Sequence, residues 1–524
     1  MARRFLYPVI RALVFCGPES KNALIDEIGL NEAVRAHDTG EALKINRTVD
    51  GRDLRFHISF SQSVEETRQC LRADYYNVLV VDESDRQTSD INKTRTFHLH
   101  EAIREEIDVQ GHIPWRWERT LVLLPPDPYR LPLSFSLGRL RLGDYCLRPT
   151  DPNSFFKAVT KVAERRSEVG KTAICLAGGG IEGLIYEMGV LRALDFALEG
   201  KSVLDFDIYC GISAGSILAS VLANGVPPDQ FIRAFEQDST AIAPIDQSVI
   251  FDFDIREYIS RVGHLLSGLG RLKKGLPGIM ALSLRSMPTG FFAGDRIEQH
   301  TRRELSREGR TADFRKLRKE LYIGATDQDT SEHIVFGDKG WEDVPIPDAV
   351  HASMALVPFY SPKWIRGRWF VDGSYTRTTE TEVALEKGAK MVVIVDPLIP
   401  IRSTISGYVK AKGGVFSAIQ GLKALIHTRF TEGFTSALEM NPDVDFYVFK
   451  PEQDDMRLMS GSPLKYHYRM EIQKIAFKRT LERISEDYIK MESEWIRHGF
   501  SFNKDRIDKQ LARKDADIMD TEVF

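Results

Sequence analysis

The sequence predicts an α/β protein with two sheet-forming regions and a mainly helical C-terminal part. Three observations predict it. Up to about residue 165, short apolar runs alternate with amphipathic stretches, as strands and helices do in an open α/β sheet. From about residue 170 the alternation resumes, now with glycine-rich turns after the first two strands. Beyond residue 402, apolar residues recur at three- and four-residue spacing, which is a helical period. The chain therefore divides into residues 1–168, 169–402 and 403–524.

Bulk properties narrow the function. The 524 residues suffice for several cores, and 43% hydrophobic with 28% charged residues is an ordinary globular composition. A net charge of -4 argues against a nucleic-acid partner, which selects for basic excess. Five cysteines with no CxxC spacing point to reduced thiols and a cytoplasmic protein, not to a disulfide framework. The opening "MARRFLYPVIRALVFCG" has the arginines and apolar run of a leader, but Pro8 and Arg11 interrupt it and no small-residue cleavage site follows. No run of about 18 apolar residues occurs, so the membrane contact to expect is peripheral. Nothing in the residues sets an oligomeric state.

In the first region "RALVFCG", "LRFHISF", "YYNVLVVDES" and "RTLVLLPP" read as strands and "SVEETRQCLRA" as a helix. "DYCLRPTDPNSFFKAVTKVAERR" adds a short strand and a closing amphipathic helix, and the charged "VAERRSEVGK" marks a boundary near residue 168. This order resembles a degenerate response-regulator receiver domain, or a flavodoxin-like domain more broadly. The resemblance puts Asp82 at the phospho-acceptor position and Arg148 at that of a lysine before proline. The departures are plain: Cys16-Gly17-Pro18 replaces an acidic pair, and Pro125-Pro126 ends the fourth strand without Ser or Thr. Asp82 thus reads either as a regulatory phospho-acceptor or, in better accord with the missing acids, as a strand-end aspartate capping a turn.

The second region carries the chemistry. "KTAICLAGGGIEGLIYEMGVLRAL" is a strand, a glycine loop and a helix, and Gly178-x-Gly180-x-x-Gly183 formally fits a dinucleotide fingerprint. That fingerprint needs an acid at the far end of the next strand. Asp205 and Asp207 stand at its start, and its far end reads "GISAGS". Gly211-x-Ser213-x-Gly215, between a buried strand and an apolar helix, has the context of a nucleophile elbow, a turn so sharp that side chains two positions either side would collide. The turn also sets Ser213 at a helix N-terminus, where developing negative charge is favoured.

A serine nucleophile needs a base. "GRWFVDGSYTRTTE" places Asp372 at a strand end, while His427, His467 and His498 all fall in helical patterns without an adjoining loop. A Ser213–Asp372 pair fits better than a triad. Together "GGGIEG", "GISAGS", "HASMALVPFYSP" and "VDGS", in this order, resemble the patatin-like phospholipases over roughly residues 170–400. The resemblance implies a three-layer α/β/α core and hydrolysis of lipid acyl esters by a Ser213–Asp372 dyad. It places an oxyanion hole on the backbone of Gly178, Gly179, Gly180 and Ile181, and needs no metal or cofactor.

This chain departs from that family at Glu182, where Arg or Lys is usual, at the spacing between Ala355 and Pro358, and at Ser374. Glu182 reads as a specificity residue that repels anionic headgroups, or as an outward residue paired with a cation such as Arg192. The segment "HLLSGLGRLKKGLPGIMALSLRSMPTGFF" reads as an irregular cap, with Arg271, Lys273 and Lys274 available to lipid headgroups. Two other functions compete: a non-catalytic regulator that keeps the fold, and a dinucleotide-binding oxidoreductase.

Overall fold

The computed structural model describes residues 9–30, 43–104, 115–164, 170–267, 280, 282, 286–452 and 469–513, except 127, 141, 237, 404 and 442. The predicted boundary at 168, Arg271, Lys273, Lys274, His467 and the last eleven residues lie outside them. The chain forms two compact units. The first is Met1–Val169 with Asn441–Asp443 and Ile489–Arg497; the second is Gly170–Met440, Val444–Tyr488 and His498–Phe524. No helix among the described residues is long and apolar enough to cross a membrane.

The first unit is built on strands β1 (Ile10–Phe15), β2 (Leu43–Val49), β3 (Arg52–Ser61), β4 (Val78–Asp82), β5 (Thr120–Leu124) and β6 (Asp144–Leu147), in the order β2-β3-β1-β4-β5-β6. Strands β3, β1, β4, β5 and β6 are parallel, the flavodoxin-like doubly wound order. Both faces of such a sheet are covered, which is why β4 and β5 are buried throughout. Alternation along β1 sends Ala12 and Val14 into one core, with Phe56, Phe155 and Phe156, and Leu13 and Phe15 into another, with Leu79 and Val81. The helix Pro152–Glu164 contributes Phe155, Phe156, Val159 and Val162 from one face; truncating Phe155 to alanine would cost about 3–5 kcal/mol. Strand β2, antiparallel to β3 at the edge, is absent from the sequence prediction. Its "LKINRTV" has one solvated face and so lacks the continuous apolar run of the inner strands.

The second unit holds β7 (Lys171–Leu176), β8 (Ile208–Ile212), β9 (Glu320–Asp327), β10 (His333–Phe336), β11 (Lys363–Ile365), β12 (Arg368–Asp372), β13 (Ala389–Val395) and β14 (Asp445–Phe449). Strands β14, β13, β7, β8 and β9 run parallel, while β10, β11 and β12 form an antiparallel end. The register of β9 matters most. Strand β10 pairs with Ile323–Thr326, β8 with Glu320–Gly324 and β12 with Ala325–Asp327. A residue has only two edges, so β8 and β12 must share the one that β10 leaves. Ile212 lies opposite Gly324 and Asp372 opposite Ala325, so the two strands arrive end to end.

The helix Gly180–Ala197 is buried along most of its length and mainly apolar, as expected of a helix packed among neighbours. Gly189 lets the helix Arg469–Glu486 approach: a Cβ there would stand 2.6 Å from the Gln473 carbonyl oxygen. The C-terminal pattern, which predicts one long helix, is two helices, Arg469–Glu486 and Tyr488–Trp495. The break coincides with the change of unit: the chain up to Tyr488 packs in the second and Ile489–Arg497 in the first.

Candidate active site

Ser213 follows β8 and begins the helix Ala214–Ala223 with φ 53° and ψ -125°. Residues held there cost on the order of 1–3 kcal/mol and persist only where the surroundings impose the geometry. The glycines impose it. A Cβ on Gly211 would lie 2.5 Å from Gly215 O, and one on Gly215 would lie 2.5 Å from Ala177 O. Further support comes from the chain. The Gly215 N–H donates to Ala177 O (3.1 Å) and the Ser213 N–H to Ser353 Oγ (2.8 Å), and the Ser353 hydroxyl donates to Gly324 O (2.6 Å). Ser353 lies within the quoted "HASMA" segment; a small polar residue there is a visible signal, but its role depends on β9.

The glycine loop closes over this turn. A Cβ on Gly178 would stand 2.9 Å from the Ser213 Cβ, and one on Gly179, whose φ is +159°, would strike Gly183 and Pro397. Gly180 opens the following helix with φ +61°. Among the described residues the N–H groups of Gly178 and Gly179 have no hydrogen-bond partner. With the unpaired amides of the first helical turn, they present a positive, donor-rich surface to anything on the serine oxygen.

Asp372 ends β12 with 0% exposure. Its Oδ1 accepts the Ser374 N–H at 2.8 Å, while Oδ2 is buried without a hydrogen-bond partner among the described residues. Burial pushes the carboxyl up to about 6, against the opposing pull of the Ser213 hydroxyl and Ser374. The Thr326 hydroxyl donates to Asp372 O (3.0 Å) and meets Thr376 Oγ1 (2.8 Å), which contacts His333 Nδ1 (2.6 Å); His333 Nε2 meets Glu380 (2.6 Å). This brace escapes a search for histidines after Asp372, because His333 precedes it. No histidine nitrogen among the described residues hydrogen-bonds Ser213 or Asp372. His498 Nε2 instead meets Asp445 (3.0 Å), and His427 lies in the helix Gly414–Met440 with its pKa lowered by burial.

Gly178, Gly179, Gly180, Ile181, Ser213 and Asp372 line one cavity, whose other walls are mainly apolar, among them Leu184, Ile217, Val221, Phe231, Phe292, Leu356 and Leu398. Glu182 is in this wall as well, only 4% exposed. It does not point outward: it faces Lys423, also in the wall, whose pKa burial lowers and Glu182 raises. Arg192 reaches Asp229 at 3.2 Å. The outward reading of Glu182 is therefore corrected, because its side chain is buried in the cavity wall.

Two more carboxyls lie behind the loop. Glu187 and Asp396 are fully buried; burial lifts Glu187 well above the usual range, and burial pushes Asp396 up to about 6. Asp205 and Asp207 sit at the far end of the sheet from the loop, where Asp207 accepts the Thr172 N–H (2.9 Å) and Asp205 closes a capping box with Ser202. No ribose site forms from them beside Gly178–Gly183. Asp295, Glu298 and His351 could together approach a cation. Both His351 nitrogens are engaged, however, by Glu298 (2.8 Å) and Ala293 O (2.9 Å), and Lys363 and Arg302 neutralise Glu298. This donor set is already filled.

In the first unit Asp82 is also 0% exposed. It caps the Ser84 N–H (2.9 Å), accepts the Ser20 hydroxyl, and pairs with Arg148 at 2.5 Å. Arg95 donates to the Asp82 carbonyl (2.6 Å), its guanidinium filling the space beside Gly17.

Comparison with known proteins follows this geometry. Residues 174–385 match the model of the patatin-like phospholipase family. The chain is similar to the uncharacterized protein L620 of Acanthamoeba polyphaga mimivirus, 26% identical over 204 residues, covering 37% of this chain and 51% of that protein. It thus spans about half the length of the curated relative it matches. Among solved structures it is similar to VipD from Legionella pneumophila, at 15% identity over 66% of this chain and 80% of that one, with a TM-score of 0.24, too low a likeness to carry weight.

Proposed function

We propose that this chain, which carries a patatin-like phospholipase domain over residues 174–385, is a serine acyl hydrolase that cleaves lipid acyl esters with Ser213 as nucleophile and Asp372 as base. The family supports lipid acyl hydrolysis in general. The dyad rests on one observation: a serine held in a strained turn, a buried carboxyl without a cation, and a loop of unpaired amides meet in one apolar cavity.

The chemistry follows from those positions. Asp372, ionised, takes the Ser213 proton as Oγ bonds to the ester carbonyl carbon. Backbone N–H groups of Gly178, Gly179, Gly180 and Ile181 stabilise the oxyanion. The C–O bond to the leaving alcohol breaks, and that oxygen takes the proton from Asp372. Water then repeats the sequence on the acyl-enzyme and restores Ser213. A carboxyl near 6 is a stronger base than an ordinary aspartate near 3.9, and is still ionised at neutral pH.

Substrate preference is read from Glu182 and Lys423. Their charges offset one another, so the wall favours neutral acyl esters over anionic phospholipids, and Glu182→Arg shifts the ratio towards anionic lipids, most strongly at low salt. Peripheral membrane contact is supported by the helix Ile255–Ser267, where Ile255, Ile259 and Val262 are exposed on one side. The first unit is read as regulatory, with Asp82 a structural ion pair and not a phospho-acceptor, within a division at 1–168, 169–402 and 403–524.

A fluorophosphonate probe tests the core of this reading. The wild-type chain is expected to form a covalent adduct and Ser213→Ala none. Labelling of Ser213→Ala at the wild-type rate, or no labelling of the folded wild type, overturns it.

A further inference from the structure

The cavity is apolar beside Ser213 but polar at its far end. Ile217 and Val221, one turn apart, line it along the helix Ala214–Ala223, whose length is about 15 Å. The opposite wall is the helix Asp295–Leu305, which presents Ile297, His300, Thr301 and Glu304 as a single i, i+3, i+4, i+7 stripe. Both helices are tied to shared neighbours. Gly294, before the second, abuts His351, two residues from the Ser353 that holds the Ser213 amide. At the other end, Thr311 N–H donates to Asn224 Oδ1 (2.7 Å) just past the elbow helix, bringing the neighbouring Arg310 there. Arg310 contacts Glu304 (3.2 Å), and Glu304 also accepts from Arg307 and the Ala243 N–H.

One group on this stripe is unexplained by folding. His300 Nε2 is buried without a hydrogen-bond partner among the described residues. Thr301, 5% exposed, lines the cavity beside it. Burial lowers the His300 pKa, so the ring is held neutral and can either donate or accept. Native proteins rarely leave such an atom unsatisfied, and His300 and Thr301 both line the space a bound chain would occupy. An unsubstituted acyl chain would displace water from them and offer nothing in return.

We infer that the far end of this cavity is a hydrogen-bonding subsite, built from Thr301 and His300 and closed by the Arg310–Glu304 pair, for an acyl chain carrying a hydroxyl group at or near its distal end. The inference names the substrate class of the proposed hydrolase and so rests on that reading. Chains shorter than the full cavity fit, because His300 and Thr301 are the sixth and seventh residues of the helix Asp295–Leu305, about 8–9 Å along its axis from its first residue.

The test compares p-nitrophenyl esters of ω-hydroxy acids of graded length with their unsubstituted counterparts, on the full chain. The ratio of kcat/KM, hydroxy over plain, is expected to peak at a medium length at about tenfold, the worth of one satisfied hydrogen bond. Thr301→Val, nearly isosteric, and His300→Leu are each expected to flatten that peak. A parallel measurement uses Ser213→Ala protein and the free acids: the ω-hydroxy acid of optimal length should raise the melting temperature more than the plain acid does. Equal ratios at every length, or a peak that survives both substitutions, overturn the subsite even if both esters are hydrolysed. Conversely, no hydrolysis of any ester with a preserved preference in the melting shift overturns the hydrolase reading and leaves the subsite standing.

Discussion

Two buried aspartates end strands in the two units, and the molecule treats them in opposite ways. Asp82, at the end of β4, is enclosed by Arg148, Ser20 and the Ser84 amide, with Arg95 on its own carbonyl. Asp372, at the end of β12, has one amide on Oδ1 and, among the described residues, no cation and an Oδ2 with no hydrogen-bond partner. Both are 0% exposed. Burial alone therefore marks neither as reactive. A carboxylate whose charge is matched serves the fold, whereas one left unmatched stores basicity that a neighbouring proton donor can relieve, the role proposed for Ser213.

The largest effect should come from breaking the second arrangement. Ser213→Ala and Asp372→Ala are each expected to reduce ester hydrolysis by about a thousandfold or more with cooperative melting retained. Full turnover in either variant would remove that residue from the chemistry. His427→Ala and His498→Ala should by comparison keep most activity, and an equal loss at one of them would restore a triad.

Next comes the first arrangement. Arg148→Ala leaves the Asp82 carboxylate buried without its cation and should destabilise the first unit by about 3–5 kcal/mol, read from urea unfolding. Adding Asp82→Asn should return much of that loss. If the double variant is no better than the single one, Arg148 acts through packing or Glu27 and not through Asp82.

At Asp372, which pairs with no cation among the described residues, the same substitution should stabilise the wild-type chain directly. Its carboxyl sits near 6 in the folded chain against about 3.9 unfolded, so the folded state binds the proton more readily. Its contribution to stability is full below about pH 4 and is lost as pH rises through about 6. Asp372→Asn is accordingly expected to be inactive yet more stable at pH 8, on the order of 2–3 kcal/mol, with no gain at pH 4. Wild-type kcat/KM should fall as pH drops through about 6. Asp396 titrates in the same range, so Asp396→Asn is the control, and an inflection that moves in that variant would reassign it.

The smallest effect is expected at Ser353, which touches Ser213 only through the Ser213 backbone N–H. Ser353→Ala removes the acceptor of the Ser213 N–H and should lower kcat about tenfold, with KM little changed. A loss in KM alone would mean that the residue shapes the cavity and not the elbow.

What the sequence by itself determined is local. Gly211, Ser213 and Gly215 announce a turn whose backbone only glycines at those positions permit. The alternating apolar runs announce parallel strands, since a strand covered on both faces has no polar side to show. The tertiary structure decided what meets what. Strand β12 abuts β8 because both pair with one edge of β9, and no residue spacing encodes that register. Glu182 faces Lys423, and His300 and Thr301 line the cavity, because separate helices converge there. A steric requirement of the backbone is satisfied within a few residues and is written in them. Charge matching, burial and pocket shape arise between segments far apart in the chain, and only packing brings those segments together.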